Sequence, residues 1–237
     1  MILTDTHTHL YAKEFDNDRD VAIQHAIALG VQRIFLPNID STSIAALLSV
    51  VNSFPKNCFA MMGLHPCSVN TNYIEELNII EQYLSNNKES KIFHAVGEIG
   101  IDLYWDTSFK AQQEEALKIQ ISFAEKNNLP IIIHCRNSFR ETIDLIKNIK
   151  SEKLTGIFHC FSGTKEDAEE VVAIGFKLGI GGVVTFKNGG IDKIIQIFIL
   201  MKASASPECQ PATREGDFNF LIMASPISEV PAVPPRS

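Results

Sequence analysis

Long apolar runs are absent from this sequence of 237 residues. No stretch reaches the roughly 18 uncharged apolar residues that a membrane-spanning helix needs. The first residues, MILTDTHTHL, also lack the basic start and apolar run of a secretory signal peptide. We therefore expect a cytoplasmic protein that has no membrane among its partners.

Paired cysteines and a surplus of basic residues are missing too. The five cysteines include no CxxC pair, which argues against a disulfide framework or a zinc knuckle, so we expect free thiols. Lysine and arginine number 21 against 28 aspartates and glutamates, which gives a formal net charge of -7. This balance excludes proteins that bind nucleic acid through a broad basic surface. A phosphodiester substrate would need bound cations and a few local basic residues to offset the repulsion.

The sequence does contain a regular alternation of short apolar runs and amphipathic segments, which is typical of parallel βαβ units. A doubly wound open sheet would have a glycine-rich phosphate loop after its first strand, and none follows Ile2 and Leu3. Seven such units approach the eight of a closed barrel, so we predict an α/β fold, a TIM-like (β/α) barrel. The predicted strands are Met1 to Thr6, Val31 to Leu36, Cys58 to Gly63, Ile92 to Val96, Pro130 to Ile133, Leu154 to Phe158 and Phe176 to Ile180.

Helical spacing and capping motifs mark the segments between the strands. Apolar residues recur at helical intervals from Ile44 to Val51 and from Leu117 to Ala124. Ser138 and Thr164 are each followed three residues later by an acidic residue, which is the spacing of a capping box. We therefore expect helices to begin at these two positions.

The alternation ends in the last part of the sequence. Six of the ten prolines lie beyond residue 206, and residues 202 to 217 have neither helical nor strand periodicity. Phe218 to Met223 is the apolar run there that could supply an eighth strand. We expect a barrel domain over residues 1–198 and an atypical, irregular tail over residues 199–237, with the last strand-helix unit missing or altered.

Residues that suit metal ions stand at the carboxyl ends of four predicted strands. The carboxyl ends of barrel strands form one rim, where active sites are built, so these residues should converge. His7 and His9 are two residues apart, which places both side chains on the same face of an extended strand. The predicted metal ligands are, in chain order, His7, His9, Glu98, His134 and His159.

Each of these residues alone has an ordinary explanation, because a single polar residue after a strand is usually just leaving the core. Their coincidence at one end of different strands favours a metal site, since imidazole and carboxylate suit borderline divalent metals. Two ions can activate a water and stabilise both the attacking and leaving oxygens of a phosphodiester. We therefore predict a metal-dependent hydrolase with Glu98, His134 and His159 as catalytic residues. His25 falls within a helix and His94 within a strand, which favours structural roles for both.

Six stretches resemble the TatD family of metal-dependent deoxyribonucleases, within the amidohydrolase-like barrels. The resemblance implies a metal-dependent hydrolase barrel that cleaves DNA phosphodiester bonds, often as a 3′ to 5′ exonuclease acting on single strands or 3′ ends. DNA is therefore the expected partner, and no obligate protein partner is evident. The stretches follow the family order: DTHTHL at Asp5 to Leu10, GLHP at Gly63 to Pro66, GEIGIDLYW at Gly97 to Trp105, PIIIHCR at Pro130 to Arg136, FHCFSG at Phe158 to Gly163 and GGVVTFKN at Gly181 to Asn188.

The resemblance also implies roles by position. Glu98 would bridge two divalent ions, which are Mg, Mn or Zn. His7 and His9 would complete the first metal site, and His134 and His159 the second. Three further residues in or beside the matched stretches are candidates for contacts to substrate phosphates: His65, Arg136 and Lys187.

The sequence departs from the family where the eighth strand should end in a motif like ETDSP, whose aspartate binds metal and handles the proton. Spacing after Thr185 places that motif near residues 207 to 211, which read Pro-Glu-Cys-Gln-Pro, with Glu208 as the nearest carboxylate. We therefore expect a weak or inactive nuclease.

Two other functions stay open. A small-molecule amidohydrolase or lactonase has a similar rim of histidines, but usually carries a lysine at the strand end where Glu98 stands. The chain could also bind metal without catalysis, which the altered end of the sequence would explain.

Overall fold

The computed structural model describes residues 3–186, 190–196 and 220–222. Its strands form one parallel sheet in chain order, and each described strand is hydrogen-bonded to the next: β1 (Leu3–Asp5), β2 (Val31–Leu36), β3 (Cys58–Met62), β4 (Phe93–Asp102), β5 (Ile131–Arg136), β6 (Gly156–Phe158), β7 (Lys177–Ile180) and β8 (Phe220–Ile222). Helices alternate with these strands: α1 (Arg19–Ala28), α2 (Ile44–Ser53), α3 (Tyr73–Asn86), α4 (Lys110–Asn127), α5 (Phe139–Ile149) and α6 (Lys165–Ala173). The predicted α/β, TIM-like architecture is confirmed.

All seven predicted strands are present, and the apolar run Phe218 to Met223 contains β8. The main difference is that β4 extends to Asp102, six residues beyond its predicted end at Val96. Two glycines explain the extension, because they let β4 and β5 approach more closely than side chains would allow. A Cβ on Gly97 would lie 2.7 Å from the Cβ of Ile132, and one on Gly100 would lie 1.9 Å from the backbone oxygen of His134. Glu98 therefore lies within the strand and not after it.

The sheet separates two apolar layers. On its outer face, side chains of the strands pack against the helices, and the predicted helical spacing of α2 and α4 buries Leu47 and Leu117 completely. Its inner face carries a smaller cluster of Met61, Ala95 and Ile132. The alternation of each strand between these two faces fixes which residues can reach the inside of the barrel.

Helices begin at both predicted positions, but only one of the two has the capping box that the spacing suggests. Thr164 caps α6 with a complete capping box, in which its side chain accepts the backbone N–H of Asp167. Ser138 precedes α5 but makes no capping bond, because its buried hydroxyl donates to the backbone oxygen of Ile101 at 2.6 Å. The Ser138 hydroxyl is therefore bonded to the Ile101 carbonyl of β4 and is not used to cap α5.

The four described cysteines, Cys58, Cys67, Cys135 and Cys160, are free, as expected. Cys209 and most of the tail at 199–237 lie outside the described residues, so the irregular tail and the boundary at residue 198 stay predictions. Three tail residues form β8, which pairs with β7. Among the helices that the structure describes, none has the length and apolarity to cross a bilayer.

Candidate metal centre

The carboxylate of Glu98 is the centre of a cluster of histidines at the carboxyl ends of the strands. Only 1% of Glu98 is exposed, because β4 carries it into the barrel. Its Oε2 lies 2.9 Å from His7 Nε2 and 3.4 Å from His9 Nε2, both just after β1. Its Oε1 lies 2.8 Å from Nδ1 of His134 in β5 and 2.5 Å from Nε2 of His159 after β6. The structure therefore brings all five residues of the predicted ligand set together.

His65 also lies in this cluster, with its Nε2 3.5 Å from Glu98 Oε1. Two groups have ligand atoms that all lie within 4.8 Å of one another, namely His7, His9 and Glu98, and His65, Glu98 and His134. Both groups contain Glu98, which is the arrangement expected of a bridging carboxylate. The sequence predicts a phosphate contact for His65. In the structure the ring also lies beside the Glu98 carboxylate, among the candidate metal ligands.

The cluster keeps Glu98 ionised and His7 neutral. Burial opposes the charge on Glu98, but the surrounding imidazoles of His159, His7 and His65 hold its pKa well below the usual range. Burial, reinforced by the nearby His159, lowers the pKa of His7 to about 3. Neutral imidazole and ionised carboxylate are the forms that bind metal ions.

The tautomer of His9 follows from a relay of two hydrogen bonds. Burial raises the pKa of Tyr11 well above its ordinary value, so its hydroxyl keeps its proton and donates it to the backbone oxygen of Pro37 at 2.5 Å. The phenolic oxygen then accepts from His9 Nδ1, which lies 2.8 Å away. Because the proton of neutral His9 is on Nδ1, its Nε2 lone pair points towards Glu98.

His134 is fixed in a similar way by Asp102, a buried residue that the sequence analysis missed. His134 Nε2 lies 2.8 Å from Asp102 Oδ2, and a carboxylate accepts only, so Nε2 carries a proton. The Nδ1 atom of His134 is then directed at Glu98. Asp102 could have been found, since it is four residues after Glu98 in β4 and therefore on the same face of an extended strand. Carboxylates commonly orient histidine ligands in this way.

These contacts test whether the residues suit a metal. The nitrogen lone pairs of His9 and His134 point at the oxygens of Glu98, which are also negative. The two repel each other unless a cation, either a proton or a metal ion, lies between them. The Nδ1 atoms of His7 and His159 are buried without a hydrogen-bond partner among the described residues. The set of imidazole nitrogens and carboxylate oxygens, neutral at His7 and ionised at Glu98, fits borderline divalent ions.

His65 differs from His9 and His134 in its tautomer. Its Nδ1 accepts the backbone N–H of Cys67 at 3.0 Å, so the proton of the neutral ring is on Nε2. Burial lowers the pKa of His65, which keeps the ring neutral. A donor Nε2 suits a carboxylate or phosphate oxygen better than a metal ion, which favours the phosphate contact predicted from the sequence.

The remaining predicted residues have different locations. Arg136 is the last residue of β5, at the rim, while Lys187 and Glu208 lie outside the described residues. His25 lies in α1 and His94 contacts the rings of Phe35 and Phe59, away from the cluster.

Two further features concern the ends of β1 and β8. Asp5 Oδ1 accepts the backbone N–H of His7 at 3.1 Å, which is an ordinary hydrogen bond at a strand end. β8 is Phe220–Ile222, so the residues after the eighth strand are 223 to 226 and not 207 to 211.

Comparison with known proteins decides the family. The family model described as TatD related DNase matches residues 4–202. The chain belongs to this family. The chain is also similar to an uncharacterized metal-dependent hydrolase of Bacillus subtilis, YabD, with 36% identity over 187 residues that cover 79% of this chain and 71% of that protein.

Two other members of the TatD family are informative. A protein of Yersinia pseudotuberculosis named 3′-5′ ssDNA/RNA exonuclease TatD is 27% identical over 79% of this chain and 71% of its own length. The crystal structure of YjjV, a TatD homologue from Escherichia coli, superposes with a TM-score of 0.75 at 28% identity, covering 81% of this chain and 73% of that one. This chain is therefore a TatD-family, metal-dependent hydrolase with a TIM-like barrel.

Proposed function

We propose that this TatD-family hydrolase cleaves phosphodiester bonds of single-stranded DNA from the 3′ end with two divalent ions. The observation that carries the proposal is the buried Glu98 carboxylate within 3.4 Å of nitrogens from His7, His9, His134 and His159. The name of the Yersinia relative supports the substrate and the polarity. The fourth-strand position holds Glu98, whereas a small-molecule amidohydrolase or lactonase usually has a lysine there.

In this proposal Glu98 would serve both ions, His7 and His9 would hold one, and His134 and His159 would hold the other. Bound divalent ions would supply Lewis acidity, which neutralises phosphate charge and activates a water. The chain's own residues fix the ligands: Tyr11 orients His9 and Asp102 orients His134. His65 Nε2–H would donate a hydrogen bond to a phosphate oxygen of the substrate. The Arg136 guanidinium would supply the positive charge that a chain of net charge -7 needs at its rim.

The proposal includes low turnover, because of the residues that follow β8. They read Met223-Ala224-Ser225-Pro226 and match the family's ETDSP only in Ser-Pro, with Ala224 at the aspartate position. A positioned acid or base of this kind typically contributes 10² to 10⁴-fold. The second candidate function is therefore that of a homologue that binds metal but is catalytically impaired.

The test is an assay of 5′-labelled single-stranded DNA with purified protein and Mn or Mg. We expect slow shortening from the 3′ end that chelation abolishes, and a gain of about 10²-fold or more from Ala224→Asp. Glu98→Gln should remove the activity of both forms. If both forms hydrolyse a lactone or an amide but leave DNA intact, the site is that of a small-molecule hydrolase. If Ala224→Asp leaves turnover unchanged, the assignment of low activity to this position is wrong.

A further inference from the structure

Two neighbouring aromatic residues are exposed at the rim, directly after β4. Tyr104 is 51% exposed and Trp105 is 49% exposed, although both lie only two or three residues from the buried Asp102. Their rings contact each other edge to face, with centroids 4.7 Å apart. Exposing two large rings side by side is unfavourable in water, so their position requires an explanation beyond packing. We call Tyr104 and Trp105 the aromatic platform.

The aromatic platform is held at a fixed position relative to the metal centre. Asp102 Oδ1 accepts the backbone N–H groups of Tyr104 at 2.9 Å and Trp105 at 3.3 Å. The other oxygen of the same carboxylate is 2.8 Å from His134 Nε2. A single buried side chain therefore connects a ligand of the centre to the backbone that carries the two rings.

A cation lies against the aromatic platform. The guanidinium carbon of Arg136 is 3.7 Å from the centroid of the Tyr104 ring and 5.2 Å from that of Trp105. No carboxylate in the described part of the chain forms an ion pair with Arg136, so its charge is left for another anion. Aromatic faces beside a guanidinium are the combination that accepts a nucleobase and its adjoining phosphate.

We propose that the aromatic platform is a subsite on which a nucleobase of a single-stranded nucleic acid stacks while Arg136 faces its phosphate. The proposal rests on the phosphodiesterase function proposed above and adds a base contact that places the strand relative to the centre. A stacked base accepts any sequence, because every base has a π face. A protein partner would instead need a wider apolar surface around the two rings.

The experiment uses the fact that Trp105 is the only tryptophan of the chain, so tryptophan fluorescence reports on this position alone. The full chain is titrated, in the presence of a chelator that prevents turnover, with an oligothymidylate and with an abasic sugar-phosphate oligomer of the same length. We expect the oligothymidylate to quench the fluorescence and the abasic oligomer to leave it unchanged. Absence of quenching by the oligothymidylate overturns the proposal, whatever the nuclease assay gives.

Binding of a labelled oligothymidylate by the variants gives a second measurement. Trp105→Ala and Tyr104→Ala should each weaken binding about 5- to 150-fold, while Trp105→Phe retains most of it. Binding of the abasic oligomer should not change. Leu29→Ala, at an apolar residue that is 67% exposed at the opposite end of the barrel, is the control.

The binding and cleavage measurements test the aromatic platform and the proposed nuclease function independently. Equal losses for both oligomers would mean that the rings act through the fold or through charge, and would overturn base stacking. Mn-dependent cleavage by Trp105→Ala at an unchanged KM would leave the nuclease function standing and overturn the subsite. Quenching and base-dependent binding without any cleavage would support the subsite while the nuclease function fails.

Discussion

The inner face of the barrel has two ends with opposite chemistry. Towards the amino ends of the strands it is apolar, with Met61 and Ile132 buried in one cluster and Phe35 packed against it. Two residues further along β5 the same face carries His134, and Glu98 lies next to it. Because residues two apart in a strand share a face, the surface changes from apolar to the cluster of histidines around Glu98 within two residues.

The histidines at the two ends have opposite shifts in pKa. His94 is exposed, but its ring lies against those of Phe35 and Phe59, and this partial burial lowers its pKa. Burial also opposes the charge on His134, but its hydrogen bonds to Asp102 and Glu98 raise its pKa to about 9. The ring then carries a proton on Nδ1 as well, which a metal ion would have to displace. The same residue type is therefore either a packing residue or a candidate ligand, and the neighbouring carboxylates decide which.

Glu98→Gln should have the largest effect, because it removes the charge that both predicted ions share. We expect metal content to decrease from about two ions to none and the activity to be lost with the ions. Elemental analysis after reconstitution checks the first result. His25→Ala, on α1, should leave the metal content unchanged. Similar losses in both variants would mean that the cluster is not the metal site.

Leu47→Ala tests the outer layer, which stabilises the barrel without touching the centre. Leu47 is completely buried between α2 and the sheet, so its truncation should decrease the free energy of unfolding by about 2 to 5 kcal/mol. Urea denaturation measures this loss. The folded variant should bind as much metal as the unaltered chain, and a parallel loss of metal affinity would contradict the separation of the two regions.

Asp102→Asn should weaken metal binding about 10- to 100-fold, because the neutral amide no longer holds His134 by charge. Competition with a chromophoric chelator measures the dissociation constant. Asp106→Asn, at an exposed carboxylate of the same loop, is the matched control and should not change it. Equal affinities for the two variants would show that Asp102 has no part in orienting His134.

His94→Phe should have the smallest effect, since a phenyl ring can keep the edge contacts to Phe35 and Phe59. We expect the free energy of unfolding to change by less than about 1 kcal/mol and the metal content to stay the same. A loss of metal in this variant would show that the two ends of the barrel are coupled.

Much of the site could be predicted from sequence because its residues stand at recognisable strand ends. His7 and His9 have the strand period, and His134 and His159 follow apolar runs that end clearly. The end of β4 was harder, since Gly97 and Gly100 resemble a strand terminus although they permit close approach to β5. Asp102 was missed for the same reason, because it lies beyond the predicted end of that strand.

Sequence patterns were enough to predict the parallel α/β order and the residues that gather around Glu98, because hydrophobic periodicity is local and barrel strands all end at one rim. Which nitrogen of the His9 and His134 rings faces Glu98 depends on the folded chain. That choice depends on partners distant in sequence: Pro37, 26 residues from Tyr11, and Asp102, 32 residues before His134. A local sequence pattern cannot contain partners so far apart. The hydrogen bonds that form on folding therefore fix the tautomers of His9 and His134.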